Sequence, residues 1–177
     1  MSFLLKSEAQ KRRVLRAVLW VIFGFYLLAL AYGLFFMRID FTGYAAQRAY
    51  YRANIDLMTN FTPLTTIRLY LRCLRYNYIG VRIPLANLVG NLLLFMPMGF
   101  FLPCLFAAMR RWWLFALLML FALAAAEGLQ FLLCCGSCDV DDVALNLCGA
   151  LLVYFLLRIP GIQRLMRRLR LLPESGA

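Results

Sequence analysis

Apolar positions gather into four long runs along this chain, at about 14–37, 85–109, 112–134 and 143–159, separated by short polar breaks and one long one. A helix crossing a bilayer core of about 30 Å needs about 20 mostly apolar residues. Each run meets or approaches that length, so the pattern predicts four membrane-spanning helices. The long break, 38–84, is polar and basic. Within it, Thr65–Tyr78 reads as a helix that places Arg68, Arg72 and Arg75 at i, i+4 and i+7. Leu71, Leu74 and Tyr78 supply much of its apolar face, the pattern of a helix lying in the membrane interface. The expected fold is therefore all-α: an integral membrane four-helix bundle with an interfacial amphipathic helix in the long first outer loop. Around the transmembrane domain 14–159 lie a basic N-terminus, 1–13, and a basic tail, 160–177.

Composition agrees. The chain is 64% hydrophobic and 15% charged, where globular proteins carry about 25% charged residues, and its mean hydropathy is +0.78. An ordinary soluble domain is excluded. The first run follows basic residues and contains a passable cleavage motif, Ala29-Leu-Ala31, but it is longer than a signal-peptide core of about 7–15 residues. It is read as a retained helix.

The net charge of +11 would suggest nucleic acid in a soluble protein. Here the basic residues flank the apolar runs, so anionic lipid headgroups are the expected partners, and no nucleic-acid module is recognisable. With four spans, the N-terminus, the Arg110-Arg111 turn and the C-terminus share one side. Lys6, Lys11, Arg12, Arg13 and Arg16 lie there with Arg158, Arg164, Arg167, Arg168 and Arg170, making twelve basic residues in all. The other side has seven, between Arg38 and Arg82. The positive-inside rule then puts both termini in the cytoplasm.

That topology brings the intramembrane polar residues to one depth. Asn87 and Asn91 sit one helical turn apart at the outer start of the second span. Glu127 and Gln130 lie in the last third of the third span. Asp142, Asn146 and Gly149 share a face at the start of the fourth, with Asp139 and Asp141 just above. An ionisable residue within a span is costly and normally faces the bundle interior or a wet cavity. These clusters therefore predict a polar pocket opening on the outer leaflet. Each piece has a blander explanation. Asp139 and Asp142 could cap a helix N-terminus, the asparagines could be interhelical hydrogen-bonding glue, and the loop arginines could be snorkelling anchors. Glu127 is harder to dismiss, because a membrane carboxylate needs a partner or a proton.

Three segments together resemble the VanZ-like family of bacterial membrane proteins. They are Asn60-Phe-Thr-Pro63-Leu-Thr-Thr66-Ile67; NLVGNLLLFMPMGFFLP from Asn87 to Pro103; and Glu127-Gly-Leu-Gln130 continuing through DVDDVALNLCG to Gly149. One departure is that an arginine often found just before the family's acidic turn is missing, with Gly136-Ser137-Cys138 in its place. That puts in doubt a role in which such an arginine pairs a phosphate. The resemblance implies an association with low-level resistance to teicoplanin, a lipidated glycopeptide that acts on cell-wall precursors outside the membrane. It supplies no biochemical activity.

The expected function is binding, or chemical processing, of a lipid or lipid-linked cell-wall precursor headgroup at the outer leaflet, the ligand being an anionic or polyprenyl-linked lipid. Whether the protein is an enzyme is left open. Glu127 is the candidate general acid/base, with Asp142 and Asp139 as further catalytic candidates. Asp139 and Asp142 could hold a divalent cation such as Mg²⁺ that bridges to a phosphate. Asn87, Asn91, Gln130 and Asn146 would orient the headgroup, and Arg68, Arg72 and Arg75 could roof the pocket and grip a phosphate. The chain has no histidine, which argues against phosphohistidine chemistry, and no obvious nucleophile.

Two alternatives stand beside this reading. Cys135-Gly-Ser-Cys138 could serve a quinone-linked membrane thiol oxidoreductase, although such enzymes need a second cysteine pair and only Cys73 is available in the other outer loop. Zinc is disfavoured, since one C-x-x-C is half a site. The other alternative is a small transporter, weakened by the lack of a visible internal repeat.

Overall fold

A computed structural model describes residues 2–76, 80–169 and 171, with side chains from Gln10 onward. Its elements are α1 (Ser2–Leu34), α2 (Tyr44–Ala53), β1 (Thr59–Asn60), α3 (Thr65–Tyr76), α4 (Arg82–Leu94), α5 (Met96–Leu105), α6 (Trp112–Leu132), β2 (Cys138–Asp139), α7 (Val140–Leu156) and α8 (Pro160–Arg168). Among the described residues, three helical segments are long and apolar enough to cross a membrane: Gln10–Arg38, Arg82–Leu105 and Trp112–Leu132. A fourth is added if α7 and α8, bent by 75° at their junction, count as one broken span. The described residues are thus all-α apart from one two-residue parallel pair, Thr59 with Cys138 and Asn60 with Asp139.

The breaks have local causes. Within Arg82–Leu105 the helix is interrupted at Phe95, just before Pro97, whose ring removes a donor and clashes with the preceding turn. Met98 N–H turns to the Phe95 carbonyl, and the Leu94 carbonyl, left without a helical donor, accepts the Tyr26 hydroxyl at 2.8 Å, so the break is sealed from α1. Between α7 and α8, Pro160 pushes Ile159 out of helical geometry (ψ 128°) and then occupies the first turn of α8, where its missing N–H costs nothing. The expected basic tail therefore begins with a helix turned away from the bundle axis. Arg170 and most of the remaining tail lie outside the described residues.

Lipid is as apolar as a leucine side chain, so helices in it are held by close packing and polar contacts more than by removal of apolar area from water. Helix α7 is the hub, packed against α4, α5 and α6. Gly99 of α5 and Gly149 of α7 make this possible. A Cβ on Gly149 would overlap the Leu92 carbonyl oxygen, and one on Gly99 would overlap that of Ala150. Helix α1 lays one stripe, Leu19, Phe23, Leu30 and Leu34, into the core and leaves Val21, Phe25 and Leu28 outward. Phe23 meets Phe101 with ring centroids 5.2 Å apart. In α6 the buried stripe is Phe115, Met119, Leu123, Glu127 and Gln130. The spacing that buries the apolar residues also carries the last two inward.

The long loop is more structured than its sequence suggests. It holds α2 and β1 besides α3, and β1 pairs with the acidic turn itself. Tyr78, expected on the apolar face of α3, lies outside the described residues.

Candidate functional site

The three acids of the turn do three different jobs. Asp139 caps α7: its Oδ1 accepts the N–H of Asp141 at 2.8 Å. The same oxygen accepts Asn60 Nδ2 at 2.9 Å, and Oδ2 accepts the Thr66 hydroxyl at 2.5 Å. Asp141 caps a different helix. Its carboxylate accepts the N–H groups of Leu64 at 2.6 Å, Thr66 at 2.8 Å and Ile67 at 3.1 Å, at the start of α3. Those are the orphan donors that open every helix, and a carboxylate there also meets the positive end of the helix dipole. Asp141 is 1% exposed. It points off the Asp142 face, into α3 and not into solvent.

Asp142 does neither job. It is half-buried, and the Asn91 side chain lies near its carboxylate. Asn91 Nδ2 donates to Asn87 Oδ1 at 3.2 Å, and Asn87 Nδ2 donates to the Tyr70 hydroxyl at 3.0 Å. Burial, reinforced by Asp142 and Asp139, pushes the Tyr70 phenol up, so it stays protonated and keeps its donor. Glu127 is 8% exposed and its Oε2 accepts the Asp139 N–H at 3.5 Å. Asn146 donates through Nδ2 to the Asp142 carbonyl at 2.8 Å, while its Oδ1 is buried without a hydrogen-bond partner among the described residues. Gln130 faces elsewhere, donating to the Leu34 carbonyl at 3.0 Å. It ties α6 to the end of α1.

Asn87, Asn91, Glu127, Asp142 and Asn146 thus meet in one polar cluster where α4, α6 and α7 converge. Arg68, Arg72 and Arg75 do not join it. Helix α3 turns Thr66, Tyr70 and buried Cys73 toward the bundle and leaves all three arginines exposed on its far side. The expected arginine roof is a roof of Thr66 and Tyr70. The guanidinium nearest in effect is that of Arg38, exposed just beyond α1. Its positive charge acts on both Glu127 and Asp142, and its Nη1 lies beside Gly136. It stands next to the segment where an arginine was noted as missing from the sequence.

Among the described residues no group of three His, Cys, Asp or Glu side chains could hold a metal ion. Both oxygens of Asp139 are already engaged by donors. Of the pair suggested for Mg²⁺, Asp142 is the carboxylate not used in capping a helix. Cys135 is buried and Cys138 half-buried, both as free thiols.

Leu64 has φ +68°, a left-handed conformation that costs a residue with a Cβ about 1–2 kcal/mol. It is the third residue of a tight turn, Thr62-Pro63-Leu64-Thr65, closed by Thr65 N–H donating to the Thr62 carbonyl at 3.4 Å. Proline second and a positive φ third mark a type II turn, which normally takes glycine there. The Asp141 carboxylate holds the strained N–H in place. Leu64, Thr66, Tyr70, Asn60 and Arg38 were absent from the candidate residues. Asn60 and Thr66 stood in one of the segments that carry the family resemblance, whereas nothing local marks Arg38.

A model of the VanZ/LLP1 family matches residues 23–161. The match spans most of the chain and every element of the cluster, and the protein belongs to this family. No curated protein and no solved structure matches it.

Proposed function

We propose that this VanZ/LLP1-family protein is a four-span protein of the bacterial plasma membrane, termini in the cytoplasm, that binds the polar headgroup of a lipid or lipid-linked cell-wall precursor at the outer leaflet. The observation that carries this reading is the division of labour among the acids. Asp139 and Asp141 are consumed by capping, while Asp142 and Glu127 are left over in a cluster with two asparagines, an unpartnered Asn146 oxygen and the Arg38 charge. Stability alone gives no reason to keep those two acids at membrane depth. A headgroup bearing phosphate and hydroxyls answers the set. Arg38 supplies a fork for phosphate oxygens, Asp142 and Asn146 Oδ1 accept hydroxyl protons, and Asn91 and Tyr70 position the carboxylate. If the bound group is also processed, Glu127 is placed for proton transfer. Lowered sensitivity to teicoplanin would follow from capture of a precursor at the surface where that antibiotic acts.

The test is native mass spectrometry of protein gently extracted from bacterial membranes, alongside teicoplanin susceptibility, with all variants at matched membrane abundance. A co-purifying phosphate-bearing lipid, lost in Asp142→Asn, Glu127→Gln and Arg38→Gln but kept in Cys135→Ser/Cys138→Ser, is the expected result. Loss in the cysteine variant with retention in the other three would replace headgroup binding with thiol chemistry.

A further inference from the structure

The end of the bundle opposite the acidic cluster carries a second polar feature, which the proposed function does not use. A cavity of about 160 Å³ is lined by Pro103, Arg110, Tyr154, Arg158, Gln163 and Arg167, together with Leu157. Its walls come from the end of α5, the turn before α6, the end of α7 and the first two turns of α8. Three arginines contribute to the lining of one small space. Asp40, Asp56, Glu127, Asp139, Asp141 and Asp142, the acids whose side chains are described, all lie in the loop or around the acidic turn at the far end.

The hydrogen bonding holds the arginines without neutralising them. Arg158 donates through Nη2 to the Arg110 carbonyl and to the Tyr154 hydroxyl, each at 2.5 Å, and its guanidinium lies 4.7 Å from the centre of the Tyr154 ring. Tyr154 is 2% exposed and donates its own O–H to the same Arg110 carbonyl at 2.8 Å. Arg110 Nε donates to the Pro103 carbonyl at 3.2 Å. Every acceptor in these bonds is neutral. Arg167 goes further, because its Nε is buried with no hydrogen-bond partner among the described residues. A buried donor on a charged group is expensive to leave unmet, and like charges sharing a partly desolvated space repel. Both costs vanish if an anion with several acceptor oxygens occupies the cavity.

The surroundings indicate where that anion would come from. Helix α8 leaves the axis of α7 at 75°, which lays it across the end of the bundle. It puts Gln163 and Arg167, one turn apart, on the cavity side, and leaves Arg164 and Arg168 exposed. Trp112 and Trp113, both exposed, follow the Arg110-Arg111 turn, and tryptophans of this kind mark headgroup depth at a membrane boundary.

We propose that Arg110, Arg158 and Arg167, with Gln163, form a binding site for a phosphate group, and that phospholipid headgroups of the leaflet on the arginine side supply it. The site is separate from the acidic cluster and does not depend on what that cluster binds. Arg158 and Arg110 are clamped by Tyr154 and backbone carbonyls, so they are preorganised. Arg167 is the arm that a phosphate oxygen completes.

The full-length protein in nanodiscs tests this through thermal stability and through lipid retained in native mass spectrometry. Three conditions are compared: phosphatidylcholine alone, phosphatidylcholine with phosphatidylglycerol, and phosphatidylcholine with millimolar inorganic phosphate. Phosphatidylglycerol should raise the melting temperature and remain bound. Arg167→Gln should weaken its retention by about tenfold, the loss expected for one charge-assisted hydrogen bond. Arg164→Gln and Arg168→Gln remove the same charge from the exposed side of the same helix and should leave retention unchanged. Arg158→Gln removes a clamp from Tyr154 and can fail to fold, so Arg167→Gln decides the matter. Equal losses in all three α8 variants would reduce the effect to general attraction between a basic helix and an anionic surface, and would overturn the site. Stabilisation by inorganic phosphate but not by phosphatidylglycerol would overturn the lipid as its source. No response to either would overturn the site itself.

Discussion

The Asp141 carboxylate accepts the backbone N–H of Leu64 at 2.6 Å across 77 residues of chain, and Leu64 holds φ +68° to present it. One acid at the start of α7 thereby fixes the start of α3, so the loop helix and the last bundle helix are set against each other. This places Tyr70 and Thr66 over Asn87 and Asp139. The acidic turn is first a joint and only second a site.

Asp141→Asn should be the most damaging change in the turn. An amide offers one acceptor oxygen to three N–H donors and turns an NH₂ toward the rest. Leaving even one buried donor unmet costs about 1–3 kcal/mol. Unfolding in detergent should show that loss, and hydrogen exchange should show the first turn of α3 opening. Unchanged protection at Thr66 and Ile67 would mean that α3 does not depend on this carboxylate.

Leu64→Gly should be neutral or stabilising. Relief of left-handed strain is worth about 1–2 kcal/mol, offset by about 0.5–1 kcal/mol of glycine backbone entropy. The leucine side chain is 46% exposed, so little packing is lost. Leu64→Val adds a branched Cβ at the same φ and should be less stable than the parent protein. Thermal melts of the two variants should move in opposite directions or differ clearly in size.

Gly149→Ala should separate α7 from α4, because the added carbon would meet the Leu92 carbonyl oxygen. Overpacking of this kind costs about 1–3 kcal/mol. Gly90→Ala is the matched control, since a Cβ there meets nothing within 4 Å. A melting temperature lowered by the control as much as by Gly149→Ala would remove close helix approach as the cause.

Cys138 reports on the electrostatics of the acidic end from outside the spans. Burial, then Glu127 and Asp139, pushes its thiol up. A raised thiol carries less thiolate at neutral pH, so alkylation of a variant retaining only this cysteine should be slow there and accelerate at alkaline pH. Glu127→Gln removes one of the three causes and should shift the rate profile toward lower pH. Impermeant maleimide applied to intact cells should label Cys138 if the acidic end faces outward, and only opened cells should label if it faces in.

Most of the helices were legible in the sequence because their cause is local. A run of apolar residues long enough to cross the bilayer is a property of the run itself, and so is the inward stripe that carries Glu127 along with Phe115, Met119 and Leu123. Pro97 and Pro160 announced the two breaks equally locally, although an unbroken second span was expected. That Asn91, Glu127 and Asp142 come near one another is in keeping with a common depth, since alternating helices bring their polar ends to one depth. What each acid does could not be read from the sequence. Asp139, Asp141 and Asp142 stand within four positions of one another, in nearly the same local setting, yet one caps its own helix, one caps a helix 77 residues earlier and one stays in the polar cluster. The choice was made by donors on Asn60, Leu64, Thr66 and Ile67, delivered by a loop whose pairing with the turn is a long-range event. Arg38 is the same case. Only the folded chain brings its charge within reach of Glu127 and Asp142, because a carboxylate's role is decided by which donors and charges reach it, and those come from the far side of the fold.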